Sequence, residues 1–156
     1  MRLLAAIAAG RGLTIYKTDT AQAFLYGEMD NDRILIRPPD WWPDQLKPGQ
    51  VLKANRSIYG TKQAPRCWHT KVSNWMEQNG YPAVNDEKTI FMRKEPGGDF
   101  IIHGLFVDDM KHIPTKPRLM EEFLAKYNKE FKTTSGMEKA MDMFVGVEYD
   151  QTSSSI

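Results

Sequence analysis

The feature that most constrains the fold is an apolar run at residues 100–106 that leads into two adjacent acids, Asp108 and Asp109. Such a run is typical of a buried strand. Because neighbouring side chains of a strand point to opposite faces, an acid pair fits the tip of a hairpin better than a strand interior. Adjacent carboxylates repel each other unless a cation lies between them. The pattern therefore predicts either an ordinary polar turn or a site for a hard divalent cation such as Mg²⁺ or Mn²⁺.

A third acid, Asp19, ends a second stretch with strand character at residues 13–19. Two strands that each end in Asp can bring three carboxylates to one end of a sheet. Carboxylates that bridge two metal ions can hold the attacking and leaving oxygens of phosphoryl transfer. The alternative for Asp19 is a helix N-cap or turn residue, which is a common structural position for Asp.

Five sequence blocks follow one another along the chain. They are residues 19–28 after the first strand, 34–39 before the pair Trp41-Trp42, 57–68 with Tyr-Gly-Thr-Lys-Gln-Ala-Pro-Arg in its centre, Phe-Val-Asp-Asp at 106–109, and 143–148. In this order the blocks resemble the reverse transcriptase of copia-type LTR retrotransposons, which usually has Tyr-Val-Asp-Asp in the fourth block. The resemblance covers nearly all of the chain and implies an RNA-directed DNA polymerase.

The predicted elements alternate between helices and strands in a way that favours one α+β domain, an antiparallel sheet backed by helices. The pair Lys111-His112, followed by Pro114, is expected to weaken the strand after the acids. Helices are predicted at residues 2–10, 64–80 and 117–131, and strands at about 13–19, 34–36, 51–54, 89–93, 99–106, 110–113 and 142–149.

The resemblance also implies a division of this fold. A polymerase palm would consist of residues 1–26 and 64–150, the latter ending at a segment that resembles a primer grip. Part of the fingers would be inserted at residues 27–63. The serine-rich tail at 151–156 is predicted to be disordered.

The resemblance implies roles for the acids and their neighbour. Asp19 and Asp108 would hold two Mg²⁺ or Mn²⁺ ions, with Asp109 beside them, and the backbone carbonyl of Thr20 would complete one metal shell. The ions would lower the pKa of a primer 3′-hydroxyl and neutralise the triphosphate.

Further residues would contact the nucleotide and the primer. Phe24 matches the steric gate, a ring that stacks under the sugar and blocks a 2′-hydroxyl, although an ordinary core Phe is an equal alternative. Ala23 would offer its backbone N–H to the triphosphate. Gly60 and Lys62 lie in the block that shapes the nucleotide pocket and the template contact. The resemblance implies a primer grip at Phe144, Val145 and Gly146.

The net charge of +1 is low for an autonomous nucleic-acid binder. Polymerases localise positive charge in one groove, and a solvated charged face is the alternative for any such cluster. Basic residues here concentrate around the third block, at Lys53, Arg56, Lys62 and Arg66.

The apolar run at residues 3–9 lacks the cleavage pattern of a signal peptide, and no run is long enough to span a bilayer. We therefore expect an intracellular protein, in the cytoplasm, a virus-like particle or the nucleus. The single cysteine, Cys67, excludes an internal disulfide. Structural roles are predicted for the scattered histidines His69, His103 and His112.

The leading hypothesis is a reverse transcriptase fragment that binds an RNA or DNA template–primer and a deoxynucleoside triphosphate. The resembled family has further fingers before Arg2 and a thumb after the primer grip. We therefore expect weak or no activity alone, and self-association or docking of those parts. Two alternatives are a non-catalytic module that binds nucleic acid or protein, and a remnant with no selected role.

Overall fold

The computed structural model describes residues 2–29, 34–39, 41–42, 47, 49–134, 138–139, 143–144 and 147–148. The chain divides into two compact units, residues 1–21 with 72–156 and residues 22–71. Among the described residues, no helix is long and apolar enough to cross a membrane. The helices are α1 (Arg2–Gly10), α2 (Ala64–Gln78) and α3 (Pro117–Glu130), with a short 3₁₀ helix at Ala23–Tyr26.

The strands up to residue 114 follow the predicted order. Four of them are shorter than predicted and the one expected at 110–113 is longer, whereas the strand at 138–139 was not predicted. The strands are β1 (Tyr16–Asp19), β2 (Leu35–Ile36), β3 (Leu52–Lys53), β4 (Ile90–Lys94), β5 (Phe100–Phe106), β6 (Asp109–Pro114), β7 (Glu138–Lys139), β8 (Met143–Phe144) and β9 (Val147–Glu148).

The first unit contains a sheet with the strand order β4-β5-β6-β1-β7, in which every neighbouring pair is antiparallel. Four strands of four to seven residues form its body, and the two-residue β7 lies at one edge. The predicted α+β class with an antiparallel sheet is confirmed. Its division into palm and fingers stays a prediction.

One face of this sheet packs against aromatic side chains of helices. The buried His103 of β5 and His112 of β6 contact the ring of Phe123 on α3, with ring centroids 4.2 and 5.1 Å away. Trp75 of α2 packs edge-on against Phe123 and Tyr127. Residues at odd positions of β5 and even positions of β6 therefore face the main core, as strand alternation requires.

Helix α1 packs against the opposite face at the end remote from the two acids. Leu4 and Ala8 of α1 form a buried cluster with residues from the start of β5 and the end of β6. The cluster consists of Leu4, Ala8, Ile15, Phe100, Ile102 and Ile113. Since positions 17 and 19 of β1 and 109 of β6 share this face, the other end of the face carries charged residues.

Strand β6 is not weakened as expected. It forms six residues and pairs with β5 from Asp109 through Pro114. Lys111 and His112 are buried, at 1% and 0% exposure, so they belong to the packed sheet. Pro114 is the last residue of the strand, where a missing backbone donor costs little.

The prediction of a single strand at about 142–149 is wrong. Met143–Phe144 and Val147–Glu148 are two strands that pair with each other in antiparallel register. Apolar and polar residues alternate in the same way along one long strand and along two short strands of a hairpin, so the sequence pattern does not distinguish them. Residues 151–156, predicted to be disordered, lie outside the described part.

The second unit contains the antiparallel pair β2–β3 and a tight contact at Gly27. A Cβ at this position would lie 2.6 Å from the hydroxyl oxygen of Ser57 and 2.9 Å from the backbone of Cys67. Only glycine allows the chain after the 3₁₀ helix to approach these residues so closely.

Candidate active site

The turn between β5 and β6 presents the acid pair. Phe106 pairs with Asp109, so Val107 and Asp108 are the two turn residues. Val107 has a φ of 55°, in a region that β-branched residues rarely adopt. Two-residue hairpins usually have glycine at this position. Strained backbone of this kind costs about 1–3 kcal/mol and clusters at functional sites.

The fold brings the third acid to the same end of the sheet. Asp19 is directly opposite Asp109 in the β1–β6 register. Residues opposite each other in antiparallel strands have Cα atoms about 4.5–5.5 Å apart, and their side chains share a face. The backbone N–H of Thr20 donates to the carbonyl of Asp108, at 3.0 Å. The three predicted acids are therefore neighbours, whereas their catalytic roles stay predictions.

Two of the three carboxylates have partners of their own. Lys17 Nζ is 3.1 Å from Asp109 Oδ1. Thr134 Oγ1 donates to Asp19 Oδ2 at 2.6 Å, and the Thr134 N–H donates to the Asp19 carbonyl at 3.0 Å. Among the described residues, the Asp108 carboxylate has no hydrogen bond or ion pair. The Lys17 ammonium thus offsets part of the negative charge of the acids.

Sequence reasoning missed both of these partners. Lys17 was detectable, because it is two residues before Asp19 and so lies on the same strand face. Thr134 is 115 residues away from Asp19 along the chain, and no local pattern indicates that contact.

The three acids do not converge on one point in the described part of the chain. Carboxylate oxygens are ligands that Mg²⁺ and Mn²⁺ prefer. In the described part of the chain, however, no three His, Cys, Asp or Glu side chains are grouped so that they could hold a metal ion. Two of these carboxylates are directed to Lys17 and Thr134 instead of converging on one point.

Behind the acids, β1 is anchored to the core by buried hydrogen bonds. Thr18 Oγ1 is 2.8 Å from His112 Nε2, and His112 Nδ1 is 2.7 Å from His103 Nδ1. Thr20 Oγ1 bonds to the Tyr127 hydroxyl at 2.8 Å. The residues on both sides of Asp19 are therefore fixed, which positions its backbone.

Burial keeps this histidine pair neutral. It lowers the pKa of His112 to about 3 and lowers the pKa of His103 well below its usual value, with the neighbouring His112 contributing. A structural role is confirmed for both residues, which are fully buried and hydrogen-bonded. His69 lies partly exposed on α2.

The predicted nucleotide-contacting residues other than Thr20 belong to the second unit. Ala23 is buried and Phe24 is partly exposed in the 3₁₀ helix. Gly60 has a φ of 89°, which favours glycine, and Lys62 is exposed. Of the predicted primer grip, Phe144 belongs to β8, whereas Val145 and Gly146 lie outside the described residues.

Known proteins match this chain along most of its length. The polyprotein "Retrovirus-related Pol polyprotein from transposon TNT 1-94" of Nicotiana tabacum is 29% identical over 131 residues, 84% of this chain and 10% of that protein. The corresponding RE1 and RE2 transposon polyproteins of Arabidopsis thaliana are 26% and 24% identical over 148 residues, 95% of this chain and 10% of each. This chain thus spans about a tenth of these relatives. No solved structure matches it.

The family described as "Reverse transcriptase (RNA-dependent DNA polymerase)" matches residues 1–156. Together with the transposon relatives, this match confirms the resemblance found in the five sequence blocks. The chain therefore belongs to the reverse transcriptase (RNA-dependent DNA polymerase) family.

Proposed function

We propose that this chain is the catalytic part of a copia-type RNA-directed DNA polymerase, which adds deoxynucleotides to a primer 3′-hydroxyl on an RNA or DNA template. The observation that carries the proposal is the direct pairing of Asp19 with Asp109, beside Asp108 in a strained hairpin turn. In a reverse transcriptase family member, this is the cluster of acids best suited to phosphoryl transfer.

The surroundings of the acids support this assignment. The sheet face that carries Lys17, Asp19 and Asp109 packs against α1 at its other end. The opposite side of β1 is held by Thr18 and Thr20 through buried hydrogen bonds. A rigid strand with one polar face is the arrangement that positioning of a substrate requires.

The division into palm and fingers is part of the proposal. The first unit, residues 1–21 and 72–156, would be the palm, and the second, residues 22–71, would contain the partial fingers. These limits are close to the insertion of residues 27–63 that the resemblance implies, which supports the assignment.

Divalent metal use is proposed from family membership alone, with Asp19, Asp108 and Asp109 as candidate ligands for two Mg²⁺ or Mn²⁺ ions. The proposed partners are a template–primer duplex and deoxynucleoside triphosphates. We also propose an intracellular location, since reverse transcription needs a nucleotide pool.

Primer extension tests the proposal. The chain is incubated with an RNA template, a DNA primer, deoxynucleotides and Mn²⁺ or Mg²⁺. We expect weak, template-directed extension that Asp19→Asn and Asp108→Asn each lower by at least tenfold. Asp86→Asn makes the same chemical change at an exposed position and should leave extension intact.

The opposite result would support the non-catalytic alternative. If the chain binds the template–primer duplex without extending it, and Asp108→Asn leaves that binding unchanged, the chain acts as a binding module. Equal extension by the native chain and both Asp→Asn variants would refute the assigned acids.

A further inference from the structure

The 3₁₀ helix that carries Phe24 is held in place by the segment around Ser57. The carbonyl of Phe24 accepts hydrogen bonds from the Gly27 N–H, at 3.0 Å, and from the Ser57 hydroxyl. The Ser57 N–H in turn donates to the Gly27 carbonyl, at 3.0 Å. Ser57 is fully buried, and its hydroxyl bond to Phe24 is partly buried. These bonds fix the backbone of Phe24 but leave its ring to be held by other contacts.

Tyr59 supplies an aromatic contact for that ring. The centroids of the Phe24 and Tyr59 rings are 4.5 Å apart, with their planes inclined at 46°. Aromatic pairs at such distances are stabilised beyond the burial of their area. Tyr59 is itself 51% exposed, so its ring borders solvent and is not enclosed in a core. The Tyr59 ring therefore packs against the Phe24 ring at the surface of the second unit.

A tight turn fixes Tyr59. The Thr61 N–H donates to the Ile58 carbonyl at 3.1 Å, and Thr61 Oγ1 donates to the same oxygen at 2.7 Å. Gly60, with a φ of 89°, occupies the third position of this turn, as in a type II turn. Both ends of the aromatic pair are therefore held by hydrogen-bonded backbone.

We propose that Tyr59 is a positioning residue for sugar discrimination, because its ring holds the Phe24 ring where a 2′-hydroxyl would clash. The inference rests on the proposed function and on the steric-gate role that the resemblance implies for Phe24. The Phe24 ring excludes the 2′-hydroxyl of a ribonucleotide only if the ring cannot rotate away from the sugar. Without Tyr59, the Phe24 ring gains rotamers that admit the ribose, whereas binding of the base and triphosphate is unaffected.

The affinity ratio of two nucleotides that differ only at the 2′ position is the appropriate measurement. The chain, with Mg²⁺ and a duplex that has a templating thymidine and a primer ending in a 2′,3′-dideoxynucleotide, is titrated with dATP or ATP by nuclear magnetic resonance. We expect the native chain to prefer dATP and Phe24→Ala to abolish that preference. Tyr59→Ala should lower the ratio by about 2- to 10-fold, the range that the loss of an aromatic pair implies.

Matched variants separate positioning from a general structural effect. Tyr59→Phe keeps the ring and should retain the ratio, whereas Tyr59→Leu keeps apolar bulk without the ring and should lower it as Tyr59→Ala does. Tyr26→Ala removes a ring from the same 3₁₀ helix, but that ring faces Trp68 at 6.1 Å. It should leave the ratio of the two affinities unchanged. A purely structural defect would weaken the binding of dATP and ATP equally.

The outcomes distinguish this inference from the function on which it rests. If Phe24→Ala abolishes discrimination while Tyr59→Ala and Tyr59→Leu retain it, the role of Tyr59 is refuted and the gate remains. If the native chain binds neither nucleotide, or Phe24→Ala leaves its preference intact, the gate assignment fails and the inference fails with it.

Discussion

The buried histidine pair predicts a strong loss of stability in mild acid. His112 has its pKa lowered to about 3 by burial, whereas an unfolded histidine titrates near 6.5. Below pH 6.5, His112 therefore binds a proton in the unfolded chain but not in the folded chain. The folded state is favoured fully above the unfolded pKa, and that advantage is lost as the pH falls from 6.5 towards 3.

The magnitude follows from these two pKa values. Between pH 7 and pH 5, His112 alone should lower the free energy of unfolding by about 2 kcal/mol. His103 acts in the same direction, because its pKa is also lowered, by burial first and then by the charges of His112 and Arg93. Protonation of the ring whose Nδ1 is the acceptor would also disrupt the Nδ1 to Nδ1 hydrogen bond.

Urea unfolding at pH 7, 6 and 5, followed by tryptophan fluorescence, measures this effect. His112→Asn should be less stable at pH 7, because the bond to Thr18 is altered, yet its stability should depend less on pH by about 2 kcal/mol over the range. His69→Gln changes a partly exposed histidine and should keep the native slope. Equal slopes for the native chain and His112→Asn would refute the reasoning, since carboxylate titration is common to both.

Three smaller changes can be checked by thermal and urea unfolding. Gly27→Ala should destabilise the chain by about 2 kcal/mol or more, because the added Cβ would lie 2.6 Å from a hydroxyl oxygen. Gly10→Ala, whose Cβ would have no atom within 4 Å, should cost less than about 1 kcal/mol. Equal effects of the two substitutions would contradict the close approach at Gly27. Val107→Asn should raise stability by about 0.5–1 kcal/mol, since Asn tolerates a φ of 55°, and a loss would show that the turn is not strained. Lys17→Met should change stability by less than about 1 kcal/mol, because its ion pair is partly exposed. Arg93→Met should cost more, because it breaks two ion pairs of a guanidinium that is only 17% exposed.

The local part of the site could be predicted from the sequence. An apolar run followed by two acids indicates a hairpin, and the structure has that hairpin with Val107 and Asp108 in its turn. That Asp19 lies close to the acid pair followed from two strands that each end in Asp, whereas its register opposite Asp109 was not predicted. Both inferences depend on the two-residue period of strands, which is visible over a few residues.

The remainder depends on contacts between distant segments. The bond from Thr134 to Asp19 and the anchoring of Thr18 by His112 join residues 115 and 94 positions apart. No periodic pattern encodes such pairs. The expected weakening of β6 was wrong for the same reason, because Lys111 and His112 look disruptive in sequence but are accommodated by tertiary packing. Propensity yields to packing where side chains are buried.

The alternation along β1 has an evolutionary consequence. Lys17 and Asp19 belong to one face of the strand, and Thr18 and Thr20 bond into the core on the other. One inserted or deleted residue in this strand would exchange the two faces, burying an acid and exposing a core hydroxyl. A variant with such a length change would lose both the placement of the acids and the packing of the strand. The length of this strand should therefore be constrained more strictly than the identity of any single side chain in it.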